Sequence, residues 1–188
     1  MSAGEKPKFY GQELRDAHAL AIGKIVMAWN EYHETLGEIY AEICGRDKWS
    51  ASLDDWHSVR NDVGQRSKLL KAAESGLQAN AHALEAINWI IETTDEILRE
   101  QRNIGVHMPL MSFTDEKGTH QILPLTVFGN PRALNMVGRD LLEDYAHFER
   151  QIRAMFGYAM AIQFNLSPVR QGPEQWPDKP TLSASPQS

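Results

Sequence analysis

The stretch "AIGKIVMAWNEYHETLGEIYAEICG", residues 21–45, places Ile22, Ile25, Trp29, Tyr32, Leu36, Ile39 and Ile43 at alternating spacings of three and four. Side chains at that interval return to one face of a helix, so the stripe predicts a single amphipathic helix of about nine turns. Gly23 and Gly37 lower the local propensity without breaking the period. Gly45 is suited to ending the helix. A helix with one apolar face needs partners, and reading outward from this stretch supplies them.

Downstream, Ser52 ahead of Leu53-Asp54-Asp55 reads as an N-cap with acids in the first turn. It predicts a second helix running to about Ser75 and ended by Gly76. Asn80 is placed to cap a third, whose stripe is Leu84, Ile87, Ile91, Thr94 and Leu98, with Ile90, Ile97 and Ile104 beside it. Residues 108–129 break the helical period: "LMSF" and "QILPLTVF" flank the polar "TDEKGTH", which predicts a hairpin or ordered loop. Asn130 and Pro131 form a cap-plus-first-turn pair. They open a fourth helix with the stripe Leu134, Val137, Leu141, Tyr145, Phe148, Ile152, Met155 and Ala159. The expected fold class is all-α: an antiparallel four-helix bundle with a β-hairpin-like insertion between the third and fourth long helices. Residues 1–10 are expected to be a flexible N-terminus and residues 11–165 the bundle. Residues 166–188 are read as a Pro/Ser-rich extended or disordered tail, with Trp176 able to pin part of it to the body.

A chain of 188 residues is long enough for one domain with a sizeable core. Its net charge of −6 argues against coating nucleic acid by bulk electrostatics, though not against a local basic site. The single cysteine, Cys44, allows neither an internal disulfide nor a cysteine-rich zinc site, and it reads as a buried thiol rather than a nucleophile. No secretory signal and no 18-residue apolar window are found, so the expectation is a cytoplasmic protein without a membrane span.

Seven histidines in a helical chain raise the question of a metal. A bundle di-iron centre needs Glu-x-x-His pairs facing inward from separate helices. No histidine here has Glu three residues before it. Asp54/His57 and Asp144/His147 have the spacing with the shorter acid, and read better as exposed charged faces. No phosphate-cradling glycine loop and no nucleophile elbow appear. Neither a metal nor a cofactor is expected.

One cluster remains. "REQRNIGVHMP", residues 99–109, gathers Arg102, Asn103 and His107 at the end of the third helix. Asn103 and His107, four apart, share a face. Arg102 has a stem long enough to bring its guanidinium beside the ring. Together they offer an imidazole for proton transfer, a cationic fork for phosphate and an amide to orient either. The plain alternative is a solvated helix terminus. Arg102 would then bind helix-end carbonyls or pair with Glu92, Asp95 or Glu96, and His107 would be a cation favoured by the dipole. Glu92, Asp95, Glu96 and Glu100 themselves read as the solvated side of the helix.

An Arg, a polar residue and a His four residues further on, near the end of an inner helix of an all-α bundle, resembles the hallmark of the HEPN superfamily. The long first helix with a Trp and acids ("VMAWNEYHETLGEIY") and the later "LREQRNIGVH" segment are similar to many bacterial members. The resemblance covers most of residues 15–165, and only Arg102–His107 is diagnostic. His107 is followed by Met108-Pro109, where a small residue such as glycine is common, and Pro109 disfavours helical geometry at Met108. The resemblance implies a metal-independent endoribonuclease, possible in toxin or antiviral defence, acting as a homodimer on RNA with an antitoxin or other protein as a further partner. His107 would be the base or acid, Arg102 the phosphate-stabilising cation, and Asn103 the orienting or substrate-binding group. The competing expectation is a non-catalytic helical dimer that serves as a protein-interaction or nucleotide-binding scaffold.

Overall fold

The computed structural model describes residues 11–167, 169 and 175–185. The expected flexible N-terminus and the rest of the tail lie outside the described residues. The fold is mostly helical with one small antiparallel hairpin. Helix α1 spans Gln12–Cys44 and ends at Gly45, whose φ of 100° lies in the region that favours glycine. The predicted stripe is its inner face: Ile25, Trp29, Tyr32, Leu36 and Ile39 are all buried. Cys44 at its end is half-buried.

The second predicted helix is two helices. A short 3-10 turn, Arg46–Lys48, leads into α2 (Trp49–Ser58), and α3 covers Asp62–Gly76. Ser52 is therefore not a cap but a buried residue inside α2. The break comes from Val59 and Asn61, both extended, and from the Asn61 side chain, which accepts a hydrogen bond from the Gly64 N–H at 2.7 Å and starts α3.

The third helix begins as expected. Asn80 accepts from the Ala83 N–H, and α4 runs Ala81–Thr93. It passes through a π turn, Thr94–Leu98, into α5, Arg99–His107. The Thr94 hydroxyl donates to the Ile90 carbonyl at 2.6 Å, competing with the backbone ladder, and meets the Tyr32 hydroxyl at 2.5 Å. Past the turn the buried face continues through Leu98, Gln101, Gly105 and Met108. Strands β1 (Leu110–Thr114) and β2 (His120–Pro124) pair antiparallel from Leu110↔Pro124 to Thr114↔His120, as the alternation around "TDEKGTH" predicts.

The fourth predicted helix starts later than its sequence stripe. Asn130 does cap a helix, but α6 is only Pro131–Asn135. Gly138, at φ 79°, turns the chain, and Asp140 caps α7, Leu141–Leu166, by accepting from the Leu142 and Glu143 N–H groups. Leu134 and Val137, expected in the core stripe, are exposed. From Leu141 onward the stripe holds, and Tyr145, Phe148, Ile152, Met155 and Ala159 are buried. Helix α7 packs more extensively on α1 than any other element, and α2, α3 and α5 also pack on α1.

Residues 175–185 have no regular secondary structure, yet they dock. Asn165 and Gln175 exchange two hydrogen bonds, Lys179 pairs with Glu85, and Trp176 and Leu182 pack on the core. Ser183 donates its N–H to Gln151 and accepts from the buried Gln101 amide at 2.8 Å. Among the described residues no helix is long and apolar enough to cross a membrane.

Candidate functional site

Helix α5 sits close against α1. A Cβ on Gly105 would lie 2.7 Å from Ile25 Cδ1, so glycine is what permits the approach. The approach carries Arg102 over α1, where its guanidinium carbon lies 5.9 Å from the centre of the Trp29 ring, within cation–π range. Pro109 ends the helix: Met108 is extended (φ −74°, ψ 121°) and buried, leaving exposed His107 in the last turn.

Arg102, Asn103 and His107 form one cluster. Arg102 Nη1 donates to His107 Nε2 at 2.9 Å and to Asn103 Oδ1 at 3.1 Å. Guanidinium has no acceptor, so Nε2 must offer its lone pair and Nδ1 carries the ring hydrogen. Among the described residues Arg102 forms no salt bridge; the acids suggested for it are engaged elsewhere or point to water. Glu92 and Glu96 are exposed, and Glu100 pairs with Arg132 at 2.9 Å. Asp95 departs from the expected solvated face, because it is the partner of Arg66 on α3.

Arg66 was not singled out by sequence, nor were Trp29, His33, Asp62 and Gln65 as site residues. They assemble beside Arg102. Arg66 is almost fully buried, with its Nη1 donating to His33 Nε2 at 3.3 Å and its Nη2 bound to Asp95. His33 lies against Trp29, ring centres 4.6 Å apart, and Trp29 Nε1 donates to Asp62 Oδ2 at 3.1 Å. Burial pushes the His33 imidazole down to about 4, with the Arg66 and Arg102 charges acting the same way and the Asp62 carboxylate and Gln65 amide opposing. His33 is thus a neutral ring at physiological pH. A cavity of about 350 Å³ opens among Trp29, Asn30, His33, Glu34, Asp62, Gln65 and Arg102. The only sequence signal for this group was the one-turn spacing of Trp29 and His33 on α1.

Of the two candidate metal pairs, one lies on an exposed face as expected and the other does not. Asp54 and His57 are exposed. Asp144 and His147 are both buried: Asp144 is bound by Arg139, and His147 Nε2 lies 3.1 Å from the Ser183 carbonyl, to which it donates. Among the described residues no group of three or more His, Cys, Asp or Glu side chains is placed to hold a metal.

No protein-family model matches the sequence, and neither a curated protein nor a solved structure shows significant similarity to it.

Proposed function

We propose that this chain is a metal-independent endoribonuclease of HEPN type, cleaving RNA by 2′-OH attack at a site that two protomers share. The observation that carries the reading is the direct contact of a guanidinium and an exposed imidazole at a helix end, the guanidinium forming no salt bridge among the described residues. Cleavage requires the 2′-oxygen to bond to the adjacent phosphorus as the P–O5′ bond breaks. One base takes the 2′-OH proton, one acid protonates the departing 5′-oxygen, and a cation stabilises the charge on the phosphoryl oxygens. A phosphate drawn to Arg102 replaces His107 Nε2 as the acceptor of its N–H. The released lone pair then takes the 2′-OH proton. Asn103 holds the guanidinium from the other side. A second imidazole, to act as acid, comes from a second copy related by a two-fold axis, and the products are a 2′,3′-cyclic phosphate and a 5′-hydroxyl. In this reading α1, α3, the α4–α5 helix and α7 form the antiparallel four-helix bundle that presents the motif, and a protein antitoxin is a fitting regulator.

The test is incubation of the purified chain with mixed RNA in excess EDTA, with product ends analysed. The expected result is cleavage that yields cyclic phosphate ends and falls by about 10²–10⁴-fold in His107→Ala. An untouched RNA pool, or cleavage that survives His107→Ala, refutes the proposal, as does a strictly monomeric active species.

The exposed Val127, Phe128, Leu134 and Val137 favour a second reading, a non-catalytic interaction module. There, Arg102→Ala and His107→Ala change melting or oligomer size with no turnover to lose.

A further inference from the structure

Phosphodiester cleavage uses Arg102 and His107 but does not require the cavity beside them. That cavity, about 350 Å³, has room for far more than a few waters at ~30 Å³ each. Its polar groups are unevenly matched. His33 is only 7% exposed, and with Nε2 occupied by Arg66 its hydrogen sits on Nδ1, which lies within the influence of the Gln65 amide but makes no well-formed hydrogen bond among the described residues. A buried donor left in this state is costly unless a ligand accepts from it. Around it stand two carboxylates. Asp62 is held in place through Oδ2 by Trp29 Nε1, and Glu34, with one oxygen 3.5 Å from His57 Nε2, lies at the solvent rim.

The cavity is also lined by Asn30, Gln65 and Arg102, and its fixed imidazole donor beside carboxylate acceptors describes a complement. Of the four RNA bases, only guanine sets an acceptor (O6) next to two successive donors (N1–H and the 2-amino group). Adenine and cytosine place a single amino group beside a ring-nitrogen acceptor, and uracil places one N–H between two carbonyls. Single-stranded RNA exposes these edges for reading.

We propose that the cavity is a guanine-binding subsite. His33 Nδ1–H donates to O6, and Asp62 accepts from N1–H and the 2-amino group, with Glu34 closing the rim. Arg102 lines the same cavity, so the nucleotide held there carries the scissile phosphate on its 3′ oxygen. This placement of the phosphate rests on the ribonuclease reading; the recognition of the base does not.

Calorimetric titration of the full chain with the four nucleoside 3′-monophosphates tests it. Guanosine 3′-monophosphate is expected to bind at least about tenfold more tightly than the other three, the discrimination of one good bidentate contact. Asp62→Asn abolishes that preference, Glu34→Gln, on the surface, weakens it, and His107→Ala leaves it. Equal affinities, no binding of any nucleotide, or a preference that survives both carboxylate substitutions overturns the subsite. Mapping of RNA cuts separates the two proposals. Cleavage without regard to base upholds the ribonuclease and overturns the subsite, whereas a guanine preference in binding with intact RNA upholds the subsite and overturns the ribonuclease.

Discussion

Gly105→Ala is expected to destabilise the chain even though alanine is the better helix former. The new Cβ would stand 2.7 Å from Ile25 Cδ1 and 3.5 Å from Ile25 Cγ2, while comfortable carbon contacts lie near 3.5–4.0 Å. Ile25 is fully buried, so turning its Cδ1 aside disturbs the side chains packed around it. Overpacking of this kind costs ~1–3 kcal/mol, and the helix propensity gained offsets about 1 kcal/mol of that. A net loss of about 1 kcal/mol follows, a fall in Tm of roughly 2–4 °C for a chain of this size. Ile25→Val removes the clashing methyl at a cost of about 0.5–1.5 kcal/mol when introduced alone. In the double variant the clash is gone and the propensity gain remains, so the pair is expected to be more stable than the sum of the singles by at least about 1 kcal/mol. Urea denaturation followed by circular dichroism measures all three variants. A Gly105→Ala chain as stable as the parent, or strictly additive singles, would refute the close α1–α5 approach that places Arg102 over Trp29.

The neutral, buried His33 makes stability depend on acid. Its ring is held down to about 4 when folded and titrates near 6.5 when unfolded, so between these values the unfolded chain binds more protons. The contribution is complete above pH 6.5 and is lost as pH falls toward 4, about 3 kcal/mol in all; His33→Gln should flatten that part of the stability profile, and an unchanged slope counts against it. Asn61→Ala removes the cap of α3 and should cost about 1 kcal/mol in chemical denaturation, whereas no change would mean that the α2–α3 break does not depend on the cap. Gln101→Ala removes the amide that holds the Ser183 carbonyl and should raise the proteolysis rate within residues 175–185; equal rates would show that this contact does not anchor the segment.

Periodicity made the long elements legible. Alternating spacings of three and four mark buried faces in α1, α4 and α7 because those faces pack continuously. The breaks at 59–61 and 136–140 were harder, since apolar residues on either side keep the helical count. Leu134 and Val137 are in phase with α7 but outside it. The signal lay in the polar residues: Asp140 with Glu143 three positions later marks a helix start, and Gly138 before it supplies the turn. Ser52 misled because a hydroxyl ahead of two acids looks like a cap even inside a helix. Arg102, Asn103 and His107 were legible because one short segment carries all three and spacing alone brings them together. The cavity and the ion pair behind it were not, because Trp29 and His33 come from α1, Asp62, Gln65 and Arg66 from α3, and Asp95 from the π turn. Contacts between helices leave no period in the chain.

The division of α5 into a buried and an outward face explains why the motif is presented rather than buried. Leu98, Gln101, Gly105 and Met108 turn inward, and each is fixed differently: Leu98 by the core, Gln101 by Ser183, Gly105 by the absence of a side chain against Ile25, and Met108 by its own burial. Arg102 and His107 lie off that face. Pro109, two residues on, ends the helix at His107, and its carbonyl accepts the Leu125 N–H at 2.8 Å, tying the hairpin to the helix end. A longer helix would continue past His107 and cover it with another turn; a looser one would let the imidazole leave the guanidinium. Glycine inside α5 and proline just after it are poor choices for helix stability alone. On the ribonuclease reading both are accounted for, because the segment then has to secure the position of the Arg102–His107 pair rather than the helix.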